Sequence, residues 1–170
     1  MSLVVRQKYS HRIAWYTTAM QYWLFKSEPD AYGIDRLERE GHTEWSGVRN
    51  WQARNNMLAM KAGDLGFFYH SSCKPPGIVG LCRVIREAYP DFTQFDPKSD
   101  YYDPTSDPEK PKWKMVDVAF VERFPRQLTL DELRAMPELA GMTLLSRGRL
   151  SVQPVEEKYW NVIMNVAEKG

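Results

Sequence analysis

Several features are scarce or missing in this 170-residue sequence, and each absence excludes a class of protein. Only two cysteines, Cys73 and Cys82, are present, which is too few for a disulfide framework, and their spacing matches no zinc finger. Reduced thiols in a cytoplasm are therefore expected. No apolar run approaches the roughly 20 residues of a membrane span, so no membrane partner is expected. The formal net charge is only +1, which means that a nucleic-acid partner has to contact a local basic patch.

The signatures of common catalytic sites are also missing. The sequence contains no nucleophile elbow, no P-loop, no dinucleotide-binding glycine pattern and no HxE with the paired cysteines of zinc deaminases. The histidines, His11, His42 and His70, are scattered, so neither a metal site nor a cofactor is predicted. These absences argue against an enzyme.

The composition is that of a globular protein with one core, since 43% of the residues are hydrophobic and 26% are charged. Aromatic residues are plentiful at 13%, either because they fill a β core or because some of them line a concave surface. Residues 1–19 contain basic but no acidic residues, as a transit peptide does, whereas Met20 directly precedes the first strand. We expect residues 1–19 to be a disordered extension or a misassigned start, and residues 20–170 to form a single domain.

Apolar and alternating runs predict five or six strands and three or four short helices. The predicted strands are residues 22–26, 65–70, 78–87, 114–124 and 150–153. The predicted helices are residues 34–40, about 51–60, a short helix opened by the capping box at 129–132, and 155–168. Because most strands follow one another without an intervening helix, the pattern favours an α+β fold with an antiparallel sheet, open or closed, over a doubly wound fold.

Residues 90–112 are predicted to form a long loop, since they contain five prolines and many polar residues. A loop of this length in a small domain is usually functional or mobile. Tyr101 and Tyr102 lie in its middle. The two tyrosines either rim a pocket or anchor the loop, and the sequence does not separate these roles.

Residues 45–55 (WSGVRNWQARN) have the most informative composition in the chain. They combine two indoles, two guanidinium groups, a hydroxyl and three side-chain amides, and burying that mixture in a core costs free energy unless every polar group finds a partner. Indoles stack on flat rings, amides hydrogen-bond to ring edges, and arginines hold phosphate in a bidentate fork. The segment therefore predicts a recognition site.

Several motifs, in order along the chain, resemble those of the EVE domain family. They are FKSEP at 25–29, WSGVRN at 45–50, QARN at 52–55, FYHS at 68–71, PGIVG at 76–80, DYY at 100–102 and RGRLSVQP at 147–154. The resemblance runs from about residue 20 to residue 167 and implies a PUA-like, mostly antiparallel β-barrel of five to six strands flanked by short helices, related to YTH domains. It further implies recognition of a modified base, with modified cytosines in DNA proposed for EVE domains and methylated adenine in RNA for YTH domains.

We therefore expect a single EVE domain over residues 20–170 that binds DNA or RNA carrying a modified base, with modified cytosine in DNA as the first choice. The resemblance also suggests a cytoplasmic bacterial protein, and we expect a monomer. In YTH domains a second cage tryptophan lies on a later strand, where this chain has Val118 or a neighbour. The pocket is therefore expected to suit a different modified base, or to be less of a cage.

Two sets of site residues are predicted. The base-binding pocket is predicted to comprise Lys26, Ser27, Trp45, Ser46, Val48, Asn50, Tyr69, His70 and Tyr102. By the resemblance, Trp45 is a cage wall and Ser46 contacts a base edge. The phosphate-binding residues are predicted to be Arg49, Arg54, Arg147 and Arg149.

Some of these residues have plain structural alternatives. Trp51 lies at helical spacing from Leu58 and is expected to be in the core. Arg49 and Arg54 are as well explained by ion pairs with Glu28 or Glu44 as by phosphate binding. Asn50 has the chemistry of a helix N-cap.

Two other functions stay open. His70 and Cys73 could form a nucleophilic pair in an enzyme that acts on a nucleobase or small ligand, although a lone histidine more often only accepts a hydrogen bond. The 90–112 loop could instead be the docking segment of a protein-interaction module.

Overall fold

A computed structural model describes residues 19–170 of the chain. The expectation of a disordered or misassigned segment at residues 1–19 lies outside the described residues, apart from Ala19 at its end.

Six strands form one mixed sheet. They are β1 (Tyr22–Ser27), β2 (His42–Glu44), β3 (Leu65–His70), β4 (Gly77–Pro90), β5 (Lys114–Thr129) and β6 (Val152–Val155). The strand order is β2-β5-β4-β3-β1-β6, with β1 and β3 parallel and every other neighbouring pair antiparallel. This confirms the α+β class and the mostly antiparallel sheet. The expected closed barrel is not formed, because β2 and β6 are the two edges of the sheet and no ladder joins them within the described residues.

Short helices flank the sheet. They are α1 (Pro29–Tyr32), α2 (Ile34–Glu40), α3 (Trp51–Ala59), α4 (Leu130–Arg134), α5 (Thr143–Ser146) and α6 (Glu157–Lys169), with 3₁₀ turns at Phe92–Phe95 and Pro137–Leu139. Local signals determine several of their ends. The side chain of Asn50 accepts a hydrogen bond from the Ala53 backbone N–H and starts α3, and the Thr129–Glu132 capping box starts α4. The N-cap alternative for Asn50 is thus confirmed.

Strand β1 is buried on both faces because it separates two cores. Tyr22 and Leu24 point into one core, where Trp160 of α6 stacks on the ring of Tyr22 with centroids 4.3 Å apart. Trp23 and Phe25 point into the other, which is covered by α2 and α3. The C-terminal end of β1 emerges between these cores, so the side chains that follow Phe25 are presented at the surface.

The 90–112 loop is tied to the rest of the fold at its base. The buried amide of Gln94 donates to the carbonyls of Asp91 (2.6 Å) and Trp113 (3.0 Å), and its oxygen accepts from the Trp113 backbone N–H (3.1 Å). The indole N–H of Trp113 donates to Asp103 at 2.7 Å. These bonds join the start and the middle of the loop to Trp113 at its end.

Candidate functional site

A cleft of about 850 Å³ opens where the end of β1 faces residues 43–49. This volume lies within the ~300–1,000 Å³ typical of small-molecule sites. The predicted site residues that line it are Lys26, Ser27, Trp45, Ser46, Val48, Arg49 and Arg149. Further lining residues include Tyr32, Gly47, Tyr101 and Ser151. Five of the seven segments that resemble the EVE family, far apart in sequence, thus contribute residues to one cleft.

Trp45 forms part of the cleft floor. Its ring makes edge contacts with Phe25 (centroids 5.1 Å apart) and Phe68 (5.6 Å), and only 8% of its surface is exposed. Its backbone N–H donates to the Val116 carbonyl at 2.7 Å. Trp45 therefore contributes a small part of its indole to the cleft, and a free-standing cage wall at this position is not what the structure shows. Val118, which the resemblance places at or next to the position of the second YTH cage tryptophan, is fully buried in the same core.

Arg49 holds the cleft wall in place. Its Nη1 donates to the buried carboxylate of Asp91 at 2.9 Å and to the Val48 carbonyl. Its Nη2 donates to Thr93 Oγ1 at 3.0 Å and to the Tyr101 carbonyl at 2.7 Å. Its Nε donates to the same Tyr101 carbonyl at 2.9 Å. All five N–H groups of the guanidinium are thus used within the protein. This corrects the prediction that Arg49 binds phosphate. It also corrects the alternative of an ion pair with Glu28 or Glu44, because the partner is Asp91.

Asp91 is the centre of this clamp. It is fully buried and also accepts hydrogen bonds from the backbone N–H groups of Gly47 (2.8 Å) and Thr93 (2.8 Å). Burial alone would raise the pKa of this carboxyl, but the hydrogen bonds from Thr93, Arg49 and Gly47 outweigh it, so the pKa lies below its usual value. The ionised carboxylate therefore joins the 45–49 segment to the start of the loop.

Tyr101, and not the predicted Tyr102, lines the cleft. A Cβ built on Gly47 would lie 2.8 Å from the Tyr101 ring, which shows how closely the ring packs on the Gly47 backbone. Gly47 has φ +81°, a conformation that favours glycine. Tyr101 therefore both rims the cleft and anchors the loop. Tyr102 is also exposed but is not among the lining residues.

Two cations lie on the opposite wall of the cleft. Lys26 Nζ donates to the Gly148 carbonyl at 2.6 Å and lies 5.5 Å from the centre of the Tyr69 ring. Burial lowers the pKa of Lys26. Tyr69 is 3% exposed beneath this lysine and does not line the cleft, which corrects its predicted place in the pocket. Arg149 is exposed at the cleft wall, and its guanidinium has no hydrogen-bond or ion-pair partner among residues 19–170.

His70 lies outside the cleft, contrary to its predicted place in the pocket. Its Nε2 accepts a hydrogen bond from the Ile34 backbone N–H at 3.1 Å, and its pKa is lowered chiefly by burial. The thiol of Cys73 lies near the carbonyls of His70 (3.7 Å) and Pro75 (3.5 Å), and its pKa is raised by burial and by Asp30. A thiol with a raised pKa that contacts no imidazole is not an activated nucleophile. His70 therefore acts as a hydrogen-bond acceptor in the fold.

A smaller pocket of about 270 Å³ adjoins the cleft and shares Gly148 and Arg149 with it. Its other lining residues are Asn50, Ser146, Arg147 and Leu150. Of the four predicted phosphate ligands, Arg147 and Arg149 therefore lie together.

Arg54 is separate from both cavities. Its Nε donates to the Lys112 carbonyl at 2.8 Å, and its Nη1 donates to Asn55 at 2.9 Å. The alternative partners Glu28 and Glu44 are again wrong, because the partner is a backbone carbonyl distant in sequence.

Two further features are absent from residues 19–170, the part of the chain that the structure describes. None of its helices has the length and apolar character needed to cross a membrane. No group of three or more His, Cys, Asp or Glu side chains there is placed to hold a metal ion.

Comparison with known proteins places the chain in a family. The EVE domain family model matches residues 21–166. Thymocyte nuclear protein 1 of Rattus norvegicus is 45% identical over 166 residues, which cover 86% of this chain and 74% of that protein. A hypothetical protein from Leishmania major matches with a TM-score of 0.86 and 49% identity over 89% of this chain and 96% of that chain. The structure of human THYN1 in complex with 5-methylcytosine-containing DNA matches with a TM-score of 0.84 and 42% identity. The match covers 88% of this chain and 99% of that chain. This chain belongs to the EVE domain family.

Proposed function

We propose that this protein binds DNA that carries a modified cytosine and holds the modified base in the cleft. The observation that carries the proposal is the similarity to human THYN1, whose structure contains 5-methylcytosine DNA and 99% of whose chain is matched here. The composition of the cleft supports it, since hydroxyl, cationic and aromatic groups meet there, together with the carboxylates of Glu28 and Glu44, around a volume large enough for a nucleotide.

The base has to leave the stack to enter the cleft. A cleft of this kind cannot contact the ring edge of a base paired inside a duplex, so the bound nucleotide is either flipped out or single-stranded. Unstacking costs a few kcal/mol, which contacts with the ring faces and edges must offset. Tyr101 and the exposed part of Trp45 offer aromatic surface for those contacts.

Polar groups in the cleft match the edge of a cytosine. The ring edge of cytosine presents an amino donor together with carbonyl and ring-nitrogen acceptors. The hydroxyls of Ser27 and Ser46 can donate or accept, whereas Lys26 only donates. The ammonium of Lys26 is already partly desolvated before a base binds, and this burial lowers its pKa.

Recognition without catalysis fits the same geometry. The cleft contains no histidine or cysteine among the described lining residues, and His70 already accepts a hydrogen bond from Ile34. We therefore propose a reader that binds its base and leaves the base unchanged.

Equilibrium binding tests the proposal. Single-stranded and duplex oligonucleotides of DNA and RNA, each with one cytosine that is unmodified, methylated or hydroxymethylated, are titrated with the wild-type protein at fixed salt. Lys26→Met removes a charged donor from the cleft and keeps the apolar stem, and Ser46→Ala removes an exposed hydroxyl. Lys61→Met is the matched control, because Lys61 pairs with Glu87 outside the cleft.

We expect the wild type to prefer modified cytosine in DNA. Lys26→Met should weaken that binding about 10- to 150-fold, which corresponds to one charge-assisted hydrogen bond of about 1.5–3 kcal/mol. Lys61→Met should bind as the wild type does. Equal affinity for all bases, insensitive to Lys26→Met, would show that the cleft is not a base-binding site, and tighter binding of modified RNA would refute the choice of DNA.

A further inference from the structure

Trp51 is placed differently from the core position that its helical spacing predicts. It is 53% exposed at the first turn of α3, where one would expect a polar side chain. Its ring lies 4.7 Å from that of Trp113, tilted by 33°, and the guanidinium of Arg54 lies 5.2 Å from its centre. A large indole is thus held in a defined orientation at the surface.

Trp51 is linked to the two cavities through its neighbours. On one side it packs on Trp113, whose ring lies 5.5 Å from the guanidinium of Arg49 in the cleft wall. On the other, its chain neighbour Asn50 lines the small pocket, and Gln52 accepts a 2.6 Å hydrogen bond from Arg147 Nη2. The cleft therefore adjoins the small pocket at Gly148 and Arg149, and Asn50, which lines that pocket, directly precedes Trp51 in the chain.

The small pocket has the charge of an anion site. Arg147 and Arg149 both line it, and no carboxylate does so among residues 19–170. Arg147 uses one amino group on Gln52, whereas the guanidinium of Arg149 is unpartnered within the same residues. Arginine forks of this kind bind phosphate oxygens in pairs. The hydroxyl of Ser146, which donates to the Thr143 carbonyl at 3.4 Å, also lines the pocket.

We propose that the small pocket and Trp51 form a subsite for the nucleotide next to the modified base. Arg147 and Arg149 hold the backbone phosphate that joins the two nucleotides, and the neighbouring base stacks on the exposed indole of Trp51. This inference rests on the proposed function, since it takes the cleft as the site of the modified base. Stacking on an indole is tolerant of sequence, so the subsite adds affinity for a strand without selecting its neighbouring base.

The spacing of positive charge favours a nucleic acid over a protein as the occupant. Arg54 lies against the indole, and Arg147 and Arg149 line the pocket. A strand that carries one negative charge per nucleotide complements these three cations. A flat base also matches an indole whose contact with Trp113 leaves it tilted and half exposed.

Probes of different length separate this subsite from the cleft. The ligands are 5-methyldeoxycytidine, followed by NMR, and single-stranded DNA of nine nucleotides with one central 5-methylcytosine or cytosine. The test variant is Trp51→Ala. Leu58→Ala is its control, since Leu58 is 44% exposed on the same helix. Arg149→Gln tests the phosphate site, with Arg134→Gln, an exposed arginine on α4, as its control.

We expect Trp51→Ala to weaken binding of the nine-nucleotide DNA about 5- to 150-fold, the range for one stacked base, and to leave 5-methyldeoxycytidine binding unchanged. Arg149→Gln should reduce the slope of log K against log salt by about 0.7, the value for one phosphate contact on a single strand. Leu58→Ala and Arg134→Gln should match the wild type. Trp51→Ala should keep the ratio of affinities for methylated and unmodified DNA, because Trp51 does not line the cleft.

The subsite is refuted if Trp51→Ala binds the nine-nucleotide DNA as tightly as the wild type, or if it loses nucleoside binding by the same factor. An unchanged salt slope in Arg149→Gln would refute the phosphate contact. Failure of the proposed function looks different, because the wild type itself would then show no preference for the methylated base.

Discussion

The clamp between Asp91 and the cleft wall allows a quantitative prediction. Replacing Asp91 by asparagine keeps the size of the side chain but removes its charge and turns one acceptor oxygen into a donor. In the native protein the two oxygens accept hydrogen bonds from Gly47, Arg49 and Thr93, all of which are donors. The new amide must therefore point its N–H groups at other N–H groups, and the Arg49 guanidinium is left next to a neutral partner.

The cost follows from the burial of this pair. The Asp91 side chain has 0% and the Arg49 side chain 21% of its surface exposed. Water can therefore replace few of the hydrogen bonds that the substitution removes. Breaking a buried ion pair by removing one charge typically costs about 3–5 kcal/mol. For a chain of this size, each kcal/mol lowers Tm by roughly 2–4 °C, so we expect Asp91→Asn to lower Tm by about 6–20 °C.

Urea unfolding and thermal melts measure this cost, with Asp100→Asn as the control. Asp100 lies in the same loop but is exposed, and its substitution should change stability by less than about 0.5 kcal/mol.

A pH series adds a second readout. Because the folded-state pKa of Asp91 is lowered, its contribution is present above the usual carboxyl pKa and is lost as the pH falls through the folded-state value. The wild type and Asp91→Asn should therefore converge in acid. A loss below about 1 kcal/mol at neutral pH would refute the clamp.

Two further predictions concern single positions. Gly47→Ala and Gly41→Ala should each lower the free energy of unfolding by about 1–3 kcal/mol, since the φ angles of these glycines are +81° and +80°. Only Gly47→Ala should also weaken binding of modified DNA, because only at Gly47 does the new Cβ displace the Tyr101 ring. His70→Gln should remove a pH dependence of unfolding. Neutral His70 accepts from Ile34 and its pKa is lowered by burial, so its stabilisation is complete above about pH 6.5 and is lost as the pH falls through the folded-state pKa. Urea unfolding of wild type and variant between pH 5 and 8 checks this, and parallel curves would contradict it.

Features that depend on neighbours in sequence were predictable. The helix at Ile34–Glu40 and the strand at Leu65–His70 have the predicted bounds, because a terminal glycine and a run of apolar residues are local signals. The capping box at Thr129 predicted the start of α4 for the same reason. In contrast, β2 (His42–Glu44) was missed, since three residues carry no periodicity and the strand exists only by pairing with β5.

Features that depend on distant partners were not predictable. Arg49 pairs with Asp91, 42 residues away, and nothing near Arg49 in the sequence distinguishes that carboxylate from Glu28 or Glu44. For α3, the spacing of Trp51 and Leu58 correctly places both on one face, but that face is exposed, and Ala53 and Met57 form the buried one. Periodicity identifies residues that share a face, whereas tertiary packing decides which face is covered.

The WSGVRN segment therefore divides its residues between supporting the cleft and contacting a ligand. Trp45 and Arg49, the side chains that look most suited to bind a base and a phosphate, are committed to the core and to Asp91, whereas Ser46 is the exposed residue between them. This division suits the discrimination of a methyl group. Burying one methylene-sized group stabilises a complex by only about 0.8 kcal/mol. If the cleft wall shifts away from the methyl group, most of the difference in binding free energy between methylated and unmodified cytosine is therefore lost. A rigid wall matters more for that difference than for total affinity. We therefore expect Asp91→Asn to reduce the ratio of affinities for methylated and unmodified DNA, in addition to its effect on stability.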